Sequence, residues 1–318
     1  MKAVYYQEFG DADVLTLGER PRPSPGAGEV LVRIAAAAVN PIDRRLRAGE
    51  LQDFFERTWP IIPGWDFSGT IEQLGDGVEG WTVGERVMGL AFTWHLHHGT
   101  YAEYVPVSTT AIARIPNRFS FVEAAALPLV SLTAWQALSE FSGLTKDQTV
   151  LIQAGAGGVG SVAIPMARYL GAKVYTTTRS KNRDYVSERG AHVAIDYSQD
   201  DYVSVIREAE PDGLDCVLET LLDDTAIANA IRLTKDGGSV PYMNNEPPDM
   251  PEIAARNINT AFLHHRADGE MLTYLAGLYD SGELPLPEIA TMPLAKAAAA
   301  HRQSESATTR GKLVLTID

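Results

Sequence analysis

Residues 153–161 read QAGAGGVGS, and the segments on either side decide what this glycine-rich stretch is. Before it, TVLIQ (149–153) is a short apolar run of strand character. After it, VGSVAIPMARYLG (159–171) has the composition of a helix that ends at Gly171. Between strand and helix, Gly155, Gly157 and Gly160 match the spacing G-x-G-x-x-G. Glycines so placed permit a tight turn, close approach of a pyrophosphate and contact between helix and strand, while the free N–H groups of the helix start face the phosphates. The stretch therefore reads as a dinucleotide loop, with Gly155, Ala156, Gly157, Gly158, Val159 and Gly160 around the cofactor.

Further along, strands are predicted at 173–178, 193–196, 214–219 and 239–242, with helices starting near Gly158, Lys181, Tyr202 and Asp224. The alternation predicts an α/β domain built on a doubly wound parallel sheet. About twenty residues past the loop, an NAD site would carry Asp or Glu for the ribose 2′-hydroxyl. This chain has TTTRSKNR (176–183) instead. Thr178 and Ser180 can hydrogen-bond a phosphate, and Arg179 with Lys181 behind it can neutralise one, so NADPH is the predicted cofactor. Tyr242 and Asn244 follow the fifth strand, where a parallel sheet presents its ligand-facing loops, and Phe262 in the next strand INTAFL (258–263) joins the cofactor set.

The first third has a different rhythm. KAVYY, EVLVRIAAAAV, DFSGTIEQLG, GERVMGL and YAEYVPV are short strands cut by Gly and Pro, which predicts a barrel or sandwich. FVEAAALPLVSLTAWQAL (121–138) reads as one long helical pattern, and the tail adds two helical stretches and a closing strand, GKLVLTI (311–317).

The bulk numbers narrow the partners. At 318 residues and 45% hydrophobic content the chain can build two full cores. A net charge of -14 argues against nucleic acid, whose backbone recruits clustered Lys and Arg. Cys216 is the only cysteine, so no internal disulfide forms, and the N-terminus has no stretch of signal-peptide type. A small-molecule ligand, no membrane span and a cytoplasmic setting are the expectations.

Taken together, AAVNPIDRRLRAG, PGWDFSG, GVEGWTVGERVMG, GTYAEYVPV, EAAALPLVSLTAWQAL, VLIQAGAGGVGSVAIPMARYLGA and GKLVLTI run nearly end to end in an order that resembles the medium-chain dehydrogenase/reductase superfamily, in its zinc-free quinone oxidoreductase branch. The resemblance implies a GroES-like β-barrel substrate domain over 1–121, a Rossmann NADP-binding domain over 122–264, and a return of 265–318 to the first domain. Zinc members of the superfamily place Cys where this chain has Asn40 and a His-Glu pair where it has Trp65 and Asp66, so no metal is expected. A stretch with three histidines, WHLHHG (94–99), is read as a loop at the rim of the substrate cleft.

By the same resemblance, Asn40, Asp43, Arg45 and Thr133 are the candidate catalytic residues. Asn40 matches a position near the nicotinamide and the substrate carbonyl, and Thr133 one near the nicotinamide and phosphates. Asp43 is equally well explained as a cap for RRLRAG. Arg45 replaces a tyrosine common in relatives; it cannot serve as an ordinary acid but can bind a carboxylate or an enolate oxygen. Phe54, Phe55 and Trp59 in the inserted LQDFFERTWPII are either cleft walls for a flat substrate or packing anchors. The implied activity is hydride transfer from NADPH to a quinone or similar conjugated acceptor. Reduction of an enone or enoyl group is the alternative, and a non-catalytic NADPH-binding protein is a third reading. NINTAFL resembles a segment through which relatives form homodimers.

Overall fold

The computed structural model describes residues 1–317 and divides them into two compact units. The first comprises Met1–Leu132, Arg266–Ser281 and the residues from Leu286 onward; the second comprises Thr133–His265 and Gly282–Pro285.

The first unit is organised around the strand Glu29–Val39. Its apolar run is buried along most of its length, as expected of a strand covered on both faces. Asp66–Leu74 pairs along one side of it, and Tyr104–Ser108 and Lys312–Thr316 share the other. Arg86–Leu90, Ile112–Arg114 and Ile289–Pro293 complete a seven-stranded sheet among the described residues. Backbones crowd at Gly69, where a Cβ would lie 2.1 Å from the Arg33 carbonyl oxygen, so only glycine allows this pairing. The small side chains of Ala36 and Ala38 let Ala125, Ala126 and Val314 pack against the strand.

The helical pattern at 121–138 is interrupted. It forms Phe121–Ala125, then Pro128–Trp135, then a π-helical turn Gln136–Phe141. Pro128 has no N–H to give the preceding turn, and the next N–H, of Leu129, is taken by the Asp66 carboxylate at 2.7 Å. Hydrophobic periodicity runs straight through such a break, which is why the pattern reads as one helix.

The second unit is a six-stranded parallel sheet in the order Val193–Asp196, Lys173–Thr178, Thr149–Ile152, Leu214–Leu218, Thr234–Tyr242, Asn259–Phe262. The chain winds outward in one direction from Thr149–Ile152 and then in the other. That central strand is therefore the switch point, where ligands of such sheets bind beyond the carboxyl ends. The predicted strands lie where expected, although the fifth begins earlier, at Thr234, and the helix assigned near Lys181 starts at Arg183 after a short 3-10 turn.

The helix after the glycine loop, Gly158–Tyr169, contains Pro165. A proline there leaves the carbonyl four residues back, on Ser161, without its helical donor. Arg189, only 8% exposed, supplies the missing hydrogen bond by donating from Nε to that carbonyl, and its Nη2 donates to Pro285 O at 3.0 Å. The helix thus continues unbroken through Pro165, with its N-terminus following the central strand.

Candidate functional site

Two sets of polar side chains stand out, one in each unit. In the parallel-sheet unit the loop leaves the sheet at Gln153, and Gly157 caps the helix Gly158–Tyr169. A Cβ at Gly155 would meet Thr176 Oγ1 at 2.0 Å, and one at Gly160 would meet the Ala154 carbonyl oxygen at 2.5 Å. The turn has room for glycine alone at both positions. Gly155 N–H donates to Thr177 O at 3.0 Å and Gly157 N–H to Ala154 O at 2.9 Å, which sets the loop's course. The first N–H groups of the helix, on Gly158, Val159 and Gly160, then point out of its N-terminus as anion donors. Ala156 is buried and anchors the loop.

At the carboxyl ends of the central strand and its neighbour lie buried polar atoms with no partner in the protein, both amide atoms of Gln153 and Thr178 Oγ1; Thr133 Oγ1, in the helix Pro128–Trp135, is another. Buried polar groups are normally hydrogen-bonded, so orphans at the carboxyl edge of a parallel sheet fit a polar ligand. The Thr133 hydroxyl does not bond back to the preceding turn of its own helix, as a helical threonine often does. At the end of Lys173–Thr178, Arg179 donates from Nε to Tyr197 Oη at 2.8 Å and keeps its terminal nitrogens, while Lys181 is exposed. The Ser180 hydroxyl instead donates to Asp196, so its proton is not offered to a phosphate. Hydrogen bonds from Ser180 and Ser198 hold the Asp196 carboxyl below the usual range.

The remaining predicted cofactor residues are placed differently. Tyr242 is fully buried in the core, with its hydroxyl donating to Ile227 O at 2.9 Å, so its side chain is a packing element. Asn244 Nδ2 donates to Thr220 O at 2.7 Å and braces the loop after the fourth strand. Phe262 is half-buried, its ring 4.5 Å from that of His264.

In the strand-rich unit, Asn40 immediately follows the long strand and precedes the helix Pro41–Arg47. Its side chain is 1% exposed and held at both ends: Oδ1 accepts from Lys312 Nζ at 2.6 Å, and Nδ2 donates to Asp66 Oδ2 at 2.9 Å. Asp43 lies one turn on. Its Oδ2 accepts the Asn40 N–H at 2.8 Å, which realises the capping role, and the Tyr101 hydroxyl at 3.1 Å, while Oδ1 has no partner. Burial pushes the Asp43 carboxyl from its ordinary 3.8 to about 7, against the lowering effect of the Asn40 hydrogen bond. Arg45 and Arg44 both pair with Glu50 just past the helix.

Aromatic rings gather beside Asp66. Trp65 and Phe92 meet edge-on at 4.9 Å, Phe92 and Trp94 at 5.1 Å, and Phe55 stacks on Trp94 at 5.3 Å with 26° between planes. Trp94 is 54% exposed, so this cluster presents an indole face to solvent. Trp59 is an anchor, edge-on to Tyr6 and Phe9, and Phe54 points outward. The histidine stretch pairs as His95–Leu96 with Glu56–Arg57, and Thr58 holds both His95 and His97. Among the described residues, no group of three or more His, Cys, Asp or Glu side chains could hold a metal ion, and no helix is long and apolar enough to cross a membrane.

Sequence reading missed Lys312, Tyr101 and Tyr197. A buried lysine in GKLVLTI is the one local signal, because an ammonium inside an apolar strand requires partners.

Comparison with known proteins adds to this geometry. The chain matches the family models for an alcohol dehydrogenase GroES-like domain over residues 26–117 and a zinc-binding dehydrogenase over 189–315. It is 32% identical over 293 residues to a 2-methylene-furan-3-one reductase of Solanum lycopersicum, covering 89% of this chain and 70% of that one. The quinone oxidoreductase from Coxiella burnetii superposes with a TM-score of 0.89 at 32% identity, over 100% of this chain and 99% of the other. A mycobacterial protein solved in complex with NADPH superposes with a TM-score of 0.87 at 27% identity, over all of both chains.

Proposed function

From a chain that belongs to the medium-chain dehydrogenase/reductase superfamily, in its quinone oxidoreductase branch, we propose an NADPH-dependent, zinc-independent reductase of flat conjugated carbonyl acceptors. The observation that carries the reading is the phosphate loop followed by the Arg179–Tyr197 pair where an NAD site would present a carboxylate. Bound there, NADPH supplies a hydride.

This chain's own residues bind, orient and polarise. The helix N-terminus at Gly158–Gly160 takes the pyrophosphate, and Arg179 takes the 2′-phosphate with its terminal nitrogens. Thr133 and Thr178 offer unspent hydroxyls to the cofactor. The rings of Phe55 and Trp94 match a flat acceptor, and Asn40 faces its carbonyl oxygen. Asn40, Trp65 and Asp66 do not suit zinc, whose sites draw on Cys, His and carboxylates together, so polarisation falls to hydrogen bonds. For a quinone, hydride and one proton give the hydroquinone, and water can deliver the proton. The exposed edge of Asn259–Phe262 would join two copies into a homodimer.

Likeness to the furanone reductase favours a second reading, reduction of a carbon–carbon double bond conjugated to a carbonyl. An acceptor panel separates the two: 1,4-naphthoquinone and an open-chain enone, each with excess NADPH, the products identified by mass. Quinone consumption with an inert enone is the expected result. A saturated ketone as the sole product establishes the second reading, and NADPH binding without turnover of any acceptor overturns both.

A further inference from the structure

Lys312 brings three N–H donors into a site where it is 2% exposed, and three acceptors stand around it: Asn40 Oδ1 at 2.6 Å, Val39 O at 3.4 Å and Asp66 Oδ2 at 3.4 Å. Asp66, 0% exposed, spends Oδ1 on the Leu129 N–H and Oδ2 on Asn40 and Lys312. Three chain segments far apart in sequence therefore meet on one amide. The Asn40 amide has a single orientation here. Turned over, its NH2 would point at the ammonium and its oxygen at the carboxylate, replacing two favourable contacts with two repulsive ones. The hydrogen bonds leave one Asn40 group uncommitted, the second Nδ2 hydrogen.

Given the reductase reading above, we propose that Lys312 and Asp66 are positioning residues that hold Asn40 as a one-way hydrogen-bond donor to the acceptor's carbonyl oxygen. That oxygen gains negative charge as hydride arrives at the conjugated system. An N–H stabilises it, whereas the amide oxygen in the same place would repel it. The ammonium on Oδ1 also draws electron density from the amide and strengthens the Nδ2 donor. Conformational stability alone does not call for this arrangement, since a buried ion pair is often replaceable by apolar side chains without loss.

The test is the double variant Lys312→Met with Asp66→Leu, which removes both charges together and avoids leaving either one buried alone. Its melting temperature, its NADPH affinity by fluorescence titration, and its kcat and KM for naphthoquinone are compared with wild type. The expected result is a folded protein with unchanged NADPH affinity and a kcat lowered about tenfold or more, part of the roughly hundredfold or greater loss that removal of an oxyanion donor causes. Should that protein not fold, Lys312→Arg keeps the charge and displaces its head group, and a lowered kcat at near-native melting temperature is again expected. A folded variant of either kind whose kcat stays within about twofold of wild type overturns the proposal. Wild-type protein that reduces no acceptor in the same assay overturns the reductase reading as well, so the two failures are told apart.

Discussion

At Asp43 a buried carboxyl is hydrogen-bonded through one oxygen and bare at the other. Burial, reinforced by the Asp66 charge, raises it to about 7, so across the weakly acidic range the folded chain keeps a proton that the unfolded chain releases. A raised carboxyl contributes stability that is fully present below the unfolded value, about 4, and is lost as pH climbs through the folded value. The melting-temperature difference between wild type and Asp43→Asn should therefore shift against the wild type as pH rises from about 5 to about 7.5. Glu219, raised to about 7 mainly by its own burial, acts in the same direction in both proteins and so leaves this difference unchanged. Parallel melting curves for the two proteins across this window would refute the assignment. Residues of this kind divide sharply by legibility. Gly155, Gly157 and Gly160 were readable because the G-x-G-x-x-G spacing lies within one short stretch of chain. Lys312 was not, since the Asn40 it grips is 272 positions away. Ser180 was misjudged for a similar reason: its hydroxyl answers to Asp196, on a neighbouring strand that local sequence does not bring close.

Among the elements, the parallel strands were legible because each is a short apolar run between a glycine or polar turn and a helix. Prolines account for most of the differences. Pro128 splits a continuous helical pattern, and Pro165 sits inside a helix that survives because Arg189 caps the freed Ser161 carbonyl. Ile289–Pro293, flanked by Pro287 and ending in Pro293, lacks the look of a strand yet pairs in parallel with Lys312–Thr316. Asn259–Phe262 closes one edge of its sheet with its outer backbone groups unpaired by any described strand, a surface that another copy of the same strand can extend. Light scattering of the eluted protein should give twice the 34.5 kDa chain mass, and Thr260→Pro, which removes an outward-facing edge donor, should reduce it to one. Wild-type protein with the mass of a single chain would refute the dimer.

Over the whole molecule, the motifs in chain order carried the fold further than composition did. An acidic chain with one cysteine fits many soluble enzymes, whereas strand, glycine loop, helix and a basic strand end fit few. The chemistry of the strand-rich unit was the least legible part. Its polar network joins side chains from three motifs far apart in sequence, and its aromatic cluster draws on an insertion and a histidine stretch, so no local pattern shows either assembly. Selection of NADPH by the second unit through Arg179 would show first in coenzyme preference. Initial rates with naphthoquinone give kcat/KM for NADPH and for NADH, in wild type and in Arg179→Ala. Wild type is expected to prefer NADPH by about tenfold or more, roughly the worth of one charge-assisted phosphate contact, and the variant to lose most of this preference. Equal use of the two coenzymes by the wild type, or a preference untouched by Arg179→Ala, would contradict that selection.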